Sequence, residues 1–363
     1  MSKAAELAKA GETLTNQPSG RKNLVTNGAM QVAQRSASVT GLGANGDSYP
    51  TVDRFAVSQT ATAGRYTMTQ TADGPSGFAN CIKLDCTTAD TSIASSEFLL
   101  LRQRIEGQDV QVFAKGTSDA KKYALSFYVK GNASATYVAE FMDNDNSNRH
   151  VSKAFAVTTD WTRIEMIFPA DTTGVIDDDN GASFDLNIWL HSGSDRTSGT
   201  LQQTWGALAQ ANRAVGISSF FDSTDRTFFI TGVQLEVGSQ ATNFEHRSFG
   251  EELSLCKRYC NVIAPLADEA FTFGHNRSTT ISVGIIRHHP VMRAAPSLTF
   301  SAVDAFQVQH TGTATQTSGM AAGELSTEGS TIVATVGSGL TTGQGSELRE
   351  HTLGATVIID AEL

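Results

Sequence analysis

The residues best able to hold a hard cation lie in two acidic-amide runs, Asp143-Asn144-Asp145-Asn146-Ser147-Asn148 and Asp177-Asp178-Asp179-Asn180-Gly181. Calcium takes several oxygens from one loop, so Asp143, Asp145, Asp177 and Asp179 are weak calcium candidates. The first run has no glycine at its sixth position and Ala154 at its twelfth, so it is not an EF-hand. Asx-turns between strands are the plainer reading. His288 and His289 precede Pro290 in a strand-like stretch. Successive extended side chains point to opposite faces and cannot grip one metal, so a solvent-exposed pair is expected. Cys256 and Cys260 are one helical turn apart but lack a second pair of ligands. With Cys81 and Cys86 they read as free buried thiols of a reducing compartment.

Signatures of catalysis are missing. The chain has no G-x-S-x-G, P-loop, H-E-x-x-H or C-x-x-C. A glycan-cleaving enzyme needs two carboxylates across a groove. Asp185 and Glu165 can be nominated, but nothing in their spacing makes them converge. No catalytic residue, cofactor or metal is therefore expected. Binding asks for less. Tyr128 and Trp189 sit on the polar faces of strand patterns and Trp161 opens another. Sugars stack on such rings, so these three are the glycan candidates. Loops or a neighbouring subunit covering the rings is the competing reading.

Those side chains need strands to carry them. From about 24 to 247 the apolar residues recur with period two. Tyr123, Leu125, Phe127 and Val129 alternate with Ala124, Ser126, Tyr128 and Lys130. Phe184, Leu186, Ile188 and Leu190 alternate with Asp185, Asn187, Trp189 and His191. Phe229, Thr231, Val233, Leu235 and Val237 form a third such series. One apolar and one polar face suit antiparallel strands, and turn signals at 45–46, 73–74, 130–132 and 179–181 separate them. The spacing predicts an all-β chain with a jelly-roll-like β-sandwich over 23–247. Ser248 to Glu251 reads as a capping box opening a linking helix over 248–260, with Phe249, Leu253, Cys256 and Cys260 on one face. A smaller C-terminal β domain follows over 261–363. Gly, Ser and Thr supply 22 of the 36 residues in 311–346, which predicts a loop or a packed oligomer surface. Residues 1–22 form an N-terminal docking segment, with Ala4, Ala5, Leu7 and Ala8 on a short helix that needs something to lie against.

Composition narrows the partners. The 363 residues carry 37 acidic against 27 basic side chains, a net charge of −10, and no lysine follows Lys257. An acidic chain without a basic stripe repels phosphate backbones, so nucleic acid is not expected. No apolar stretch approaches membrane-spanning length, so no membrane insertion is expected. The first residues lack the apolar core of a secretory signal. The lysine-free, Gly/Ser/Thr-rich region beside apolar strands predicts a homotrimer.

Several segments carry a family likeness. NLVTNGAMQVAQRS (23–36), YPTVDRF (49–55), LRQRIEGQDV (101–110), LSFYVKG (125–131) and ITGVQLEVGSQATNFEHRSFGEELSLCKRYC (230–260) are the most specific. PVMRAAPSLTF (290–300) and the terminal VIIDAEL (357–363) continue it. The chain resembles a tail-fibre-like, virion-surface structural family of marine bacteriophages with a carbohydrate-binding-module-like sandwich. The resemblance implies a virion protein made in the host bacterial cytoplasm, a trimer without catalytic residues. It implies a tail fibre or tail adaptor in host attachment, with a capsid decoration or head-fibre protein as the alternative and a tailspike enzyme a more distant one. The expected partners are other virion proteins (tail tube, adaptor, portal or capsid) through the N-terminal segment, and a host surface glycan.

Overall fold

The computed structural model describes residue 3 and residues 21–363 apart from 146, 267 and 353. Ala4, Ala5, Leu7 and Ala8 lie outside the described residues. The chain forms two compact units, one running to Glu252 and including Leu363, the other Leu253–Glu362. The fold is all-β, as the period-two pattern predicts.

The first unit is built from β1 (Ser38–Ser48), β2 (Ala56–Thr71), β3 (Cys81–Thr88), β4 (Phe98–Glu106), β5 (Tyr123–Gly131), β6 (Ala135–Asp143), β7 (Arg149–Val157), β8 (Thr162–Phe168), β9 (Ala182–Ser192), β10 (Gly206–Ala207) and β11 (Thr227–Val237). They form one antiparallel path, β10-β7-β6-β9-β4-β2-β3-β11-β5-β8, with β1 also on β2. The path folds back on itself at β2. Ala56–Thr60 pair with β4, and the stretch from Arg65 pairs with β3. Between them Ala61 takes φ 57°, and at Gly64 any Cβ would run into the Phe221 ring. The first leaf is thus β2-β3-β11-β5-β8 and the second β2-β4-β9-β6-β7-β10.

Aromatic rings from the two leaves interlock in the core. Tyr123 of β5 meets Phe141 of β6 at 5.2 Å between centroids, and Phe127 meets Phe155 of β7 at 5.1 Å. Tyr137 of β6 meets Phe228 of β11 at 5.5 Å. Edge-on and offset geometries of this kind add to the free energy of burying the rings. Strand β11 corrects the sequence reading. Its core residues are Phe228 and Ile230, then Val233, Leu235 and Val237. The register shifts between Thr231 and Gln234, where Gly232 has φ 64°. A bulge turns the following residues to the other face, so Phe229 and Thr231 face outward.

The second unit contains a closed six-stranded barrel in the order β13-β14-β18-β17-β16-β19. Its strands are β13 (Ala270–Asn276), β14 (Ile281–Arg287), β16 (Phe306–His310), β17 (Thr313–Leu325), β18 (Gly329–Val336) and β19 (Gly345–Glu350), while β12 (Cys260–Ile263), β20 (Val357–Asp360) and β15 (Ser297–Phe300) form a separate sheet. Residues 330–336, whose run STIVATV marks them as β, fall in β18, and the rest of 311–346, expected as a loop or a packed oligomer surface, is largely β17 and the start of β19. Ile332, Ala334 and Val336 fill the barrel beside Phe306, Val308 and Leu348. Small, exposed residues do not prevent a strand when its neighbours supply the ladder, as β16 and β18 do for β17.

The helix Phe249–Lys257 spans the boundary between the units. Ser248 Oγ accepts from Glu251 N–H at 3.3 Å, as the cap predicts, but Glu251 is held in an ion pair with Arg21. Cys260 starts a strand and Phe249 is exposed, so the expected apolar face reduces to half-buried Leu253 and buried Cys256. All four cysteines are buried and outside any disulfide among the described residues. His288 is buried, not solvent-exposed, with Nε2 at 3.0 Å from Ser330 Oγ. Among the described residues, no helix is long and apolar enough to cross a membrane.

Candidate functional site

The outward face of the second leaf is closed by the chain itself. Asp185, Asn187, Trp189 and His191, the polar face of β9, are all nearly inaccessible. Residues 193–221 cover Trp189 and His191, while Arg102 lies on Asp185 and Asn187. Ala214, Leu201 and Ile217 pack with Leu100, Val138 and Trp189. Arg213 clamps Glu140 Oε1 and Oε2 at 2.8 and 2.7 Å. Glu140 Oε2 also accepts from Trp189 Nε1 at 2.9 Å and Asn187 Nδ2 at 3.1 Å. Burial alone would raise the Glu140 carboxyl, but the Arg213 guanidinium outweighs it and holds the group down at about 2. Trp189 is therefore a buried anchor and offers no ring to a sugar. Periodicity placed it on an outer face correctly. It could not show that a later segment returns to cover that face.

The nominated carboxylates do not form an acid–base pair. Asp185 is buried beside Arg102 and Arg104, at 3.6 and 3.9 Å. Burial pushes its carboxyl up against the pull of both arginines. Glu165 is exposed on β8, far along the strand order, and pairs with Arg163. A serine–histidine–carboxylate line occurs at Ser219 Oγ, 2.8 Å from His191 Nδ1, with Glu97 3.6 Å from the other ring nitrogen. His191 is wholly buried, and burial lowers it to about 4. The hydroxyl is also tied to Phe221 N–H at 3.1 Å. This arrangement fastens the cover to the leaf.

The calcium candidates form turns. Asp145 N–H donates to Asp143 Oδ1 at 3.0 Å, and Gly181 N–H to Asp179 Oδ1 at 2.8 Å. Both are the Asx-turns that the sequence favours. The two runs meet where Asp177 N–H donates to Asp145 Oδ2 at 3.0 Å. Asp143 is paired with buried Lys115, which also reaches Asp171 at 2.9 Å. No cluster of three or more metal-binding side chains occurs among the described residues.

The outward face of the first leaf differs. Phe229 lies across from Lys83 on one side and Lys130 on the other. Trp161, just before β8, continues this row. Its ring is 6.2 Å from Phe229, edge to face. Lys130 Nζ sits 5.2 Å from the Trp161 centroid and 4.7 Å from that of Phe229, and Lys83 Nζ is 5.6 Å from Phe229. Cations over ring faces are favourable. Asp73 and Asp85 pair with the two lysines at 2.7 and 2.8 Å. Trp161 is half-buried, and its indole N–H has no acceptor among the described residues. Tyr128 shares this face but is half-buried against Phe78, at 5.3 Å. The structure brings two of the three aromatic candidates to one face and adds Phe229, Lys83 and Lys130. The pattern missed Phe229 because the bulge reverses which residues of β11 face the core.

No family model and no curated protein matches the chain. Solved structures similar to it include a CBM4 module, at 10% identity over 48% of this chain and 79% of that one, TM-score 0.28. The CBM22-1 xylan-binding domain of Paenibacillus barcinonensis Xyn10C gives 11% identity, 61% and 100% coverage, and TM-score 0.30. The enzymatically active domain of bacteriophage CBA120 tailspike protein 4 gives 13% identity over 59% of this chain but 21% of that one, TM-score 0.30. At these identities and TM-scores the likenesses carry no argument about ligand or reaction.

Proposed function

We propose that this chain is a non-catalytic, glycan-binding structural protein of a bacteriophage virion, a tail fibre or tail adaptor acting in host attachment. A capsid decoration or head-fibre role is the second reading, since it would use the same modules. The observation that carries the glycan reading is the Lys83–Phe229–Lys130–Trp161 row. It joins aromatic surface to ammonium groups and carboxylates that can exchange their pairing for sugar hydroxyls. The place on a virion rests on the sequence resemblance. The non-catalytic reading is supported by Asp185 and Glu165, which face no common groove. Weak sites suffice in an assembly, because linked copies multiply their affinities.

The test is retention of the whole chain on immobilised bacterial surface polysaccharides, with polymer length followed in parallel. Retention that falls at least tenfold in Trp161→Ala, with polymer length unchanged, is expected. Release of short fragments that stops in Asp185→Asn would overturn the non-catalytic reading. Light scattering tests the homotrimer: a stable monomer near 38.6 kDa at micromolar concentration would sink it.

A further inference from the structure

The barrel carries an aromatic ring that its own unit leaves uncovered. Phe273 on β13 is 68% exposed, and its cross-strand neighbour Ile285 on β14 is 57% exposed. The two flank the paired glycines Gly274 and Gly284. On the other side Phe273 lies opposite Glu347 of β19, which in turn lies opposite Gln309 of β16. Phe273 is therefore the ridge between two hollows in the barrel wall. One, of 450 Å³, is lined by Phe273, Ile285, Arg277, Glu324 and Thr331 among others. The second, of 430 Å³, is lined by Phe273, Gln309, His310, Ser346 and Glu347 among others. The paired glycines lie on the opposite, inner face, where a Cβ at Gly274 would collide with the Val283 carbonyl.

We infer that this wall is a second binding site, for a neutral oligosaccharide whose sugars straddle Phe273. Three observations select that ligand. First, each hollow falls in the size range of small-ligand sites, whereas a stable protein partner covers about 800 Å² per side with a broad apolar centre. Phe273 and Ile285, with Val333 and Leu325 beside them, make only a small apolar patch inside a polar rim. Second, the rim offers both hydrogen-bonding senses. Arg277 donates, Glu324 and Glu347 accept, and Gln309 does either. Among the described residues Arg277 and Glu324 have no ion-pair partner, so both are available to hydroxyl groups. Third, the charges fall against an anion. The first hollow sets one arginine against one glutamate, and Glu347 of the second already holds Arg349 at 2.5 Å. A uronate or phosphate would meet carboxylates in both, whereas a sugar ring lays its CH face on Phe273 and turns its hydroxyls to the rim.

The experiment titrates the whole chain with neutral hexaoses (cellohexaose, xylohexaose, mannohexaose and maltohexaose) and with oligogalacturonate as the acidic control. Binding is followed by calorimetry and by ligand-observed NMR. At least one neutral hexaose is expected to bind, with affinity reduced at least tenfold in Phe273→Ala and several-fold in Glu324→Gln, both also when made in the Trp161→Ala background. Phe273 is largely exposed, so its alanine variant should keep the parent circular dichroism and melting temperature. The Trp161 arm separates this site from the sandwich row, so either can fail alone. The inference is overturned by no binding of any neutral hexaose, by equal or tighter binding of oligogalacturonate, or by binding indifferent to Phe273. An oligomer that dissociates in Phe273→Ala overturns it as well, because a second copy would then be what covers the ring.

Discussion

The two outward faces of the sandwich begin from the same pattern and end with opposite roles. Each offers alternating polar and apolar residues with an aromatic among the polar ones. On the second leaf, residues 193–221 return over the face and Arg213 locks them to Glu140. On the first leaf, Lys83 and Lys130 keep access to solvent, their side chains 32% and 19% exposed, beside half-buried Trp161 and over Phe229, which is 9% exposed. A buried ion pair costs desolvation on both partners. It therefore fastens a cover well and leaves nothing for a ligand. An exposed lysine over a ring keeps its mobility and can exchange partners. A tryptophan with cations and carboxylates beside it thus makes an anchor on one face and a contact surface on the other.

The sharpest way to break this comparison is at the clamp. Arg213→Ala leaves the Glu140 carboxylate buried without its counter-ion, and should cost about 3–5 kcal/mol in urea unfolding. Trp189→Ala should cost a similar amount, about 3–5 kcal/mol, by leaving a cavity between leaf and cover. A cost no larger than that of a surface change in both would mean the cover is not packed.

Acid comes next. Folding keeps the His191 imidazole neutral down to about 4, while the unfolded chain takes up its proton near 6.5. Stability on this account falls as pH drops from 6.5 toward 4. Folding keeps Glu140 ionised down to about 2 against an ordinary 4.5, so a second loss follows as pH drops from 4.5 toward 2. Both groups lie under the cover. Hydrogen exchange should therefore accelerate in 193–221 before it does in β5 and β11. Acceleration that starts on the first leaf would contradict the assignment.

The smallest effect on stability belongs to the open face. Trp161→Ala should shift unfolding by under about 1 kcal/mol, as near-surface changes do, while lowering polysaccharide retention at least tenfold. A large loss of stability there would make Trp161 another anchor and remove the contrast.

How far this was legible depended on range. The strand alternation of β5 is local and reads directly. So does the Ser248 cap, because its partner lies three residues away. The Asx-turns at Asp143 and Asp179 are also two-residue events. Trp189 was not legible as a buried residue, since what covers it arrives later in the chain through Arg213. The outward turn of Phe229 depends on one bulge at Gly232, which shifts a period-two count by one and has no pattern of its own. In the barrel, β18 was legible from the run STIVATV over 330–336, whereas β17 was hidden by its composition of small, mostly exposed residues. Phe273 sits in a short run, AFTFGHN, where nothing local marks one phenylalanine as outward and the other as half-buried.

Folding one path back through β2 also sets how many edges the sandwich exposes. Two separate sheets would present four unpaired margins, each a template for another strand. A single ribbon creased at β2 presents its two ends and the outer side of β1, which pairs with β2 along both of its halves. One end is β10, two residues long. The other is β8, whose side chains include the charged Arg163 and Glu165. Short or charged margins resist accidental strand addition. Among the described residues, β1, eleven residues long, is therefore the margin left for another strand.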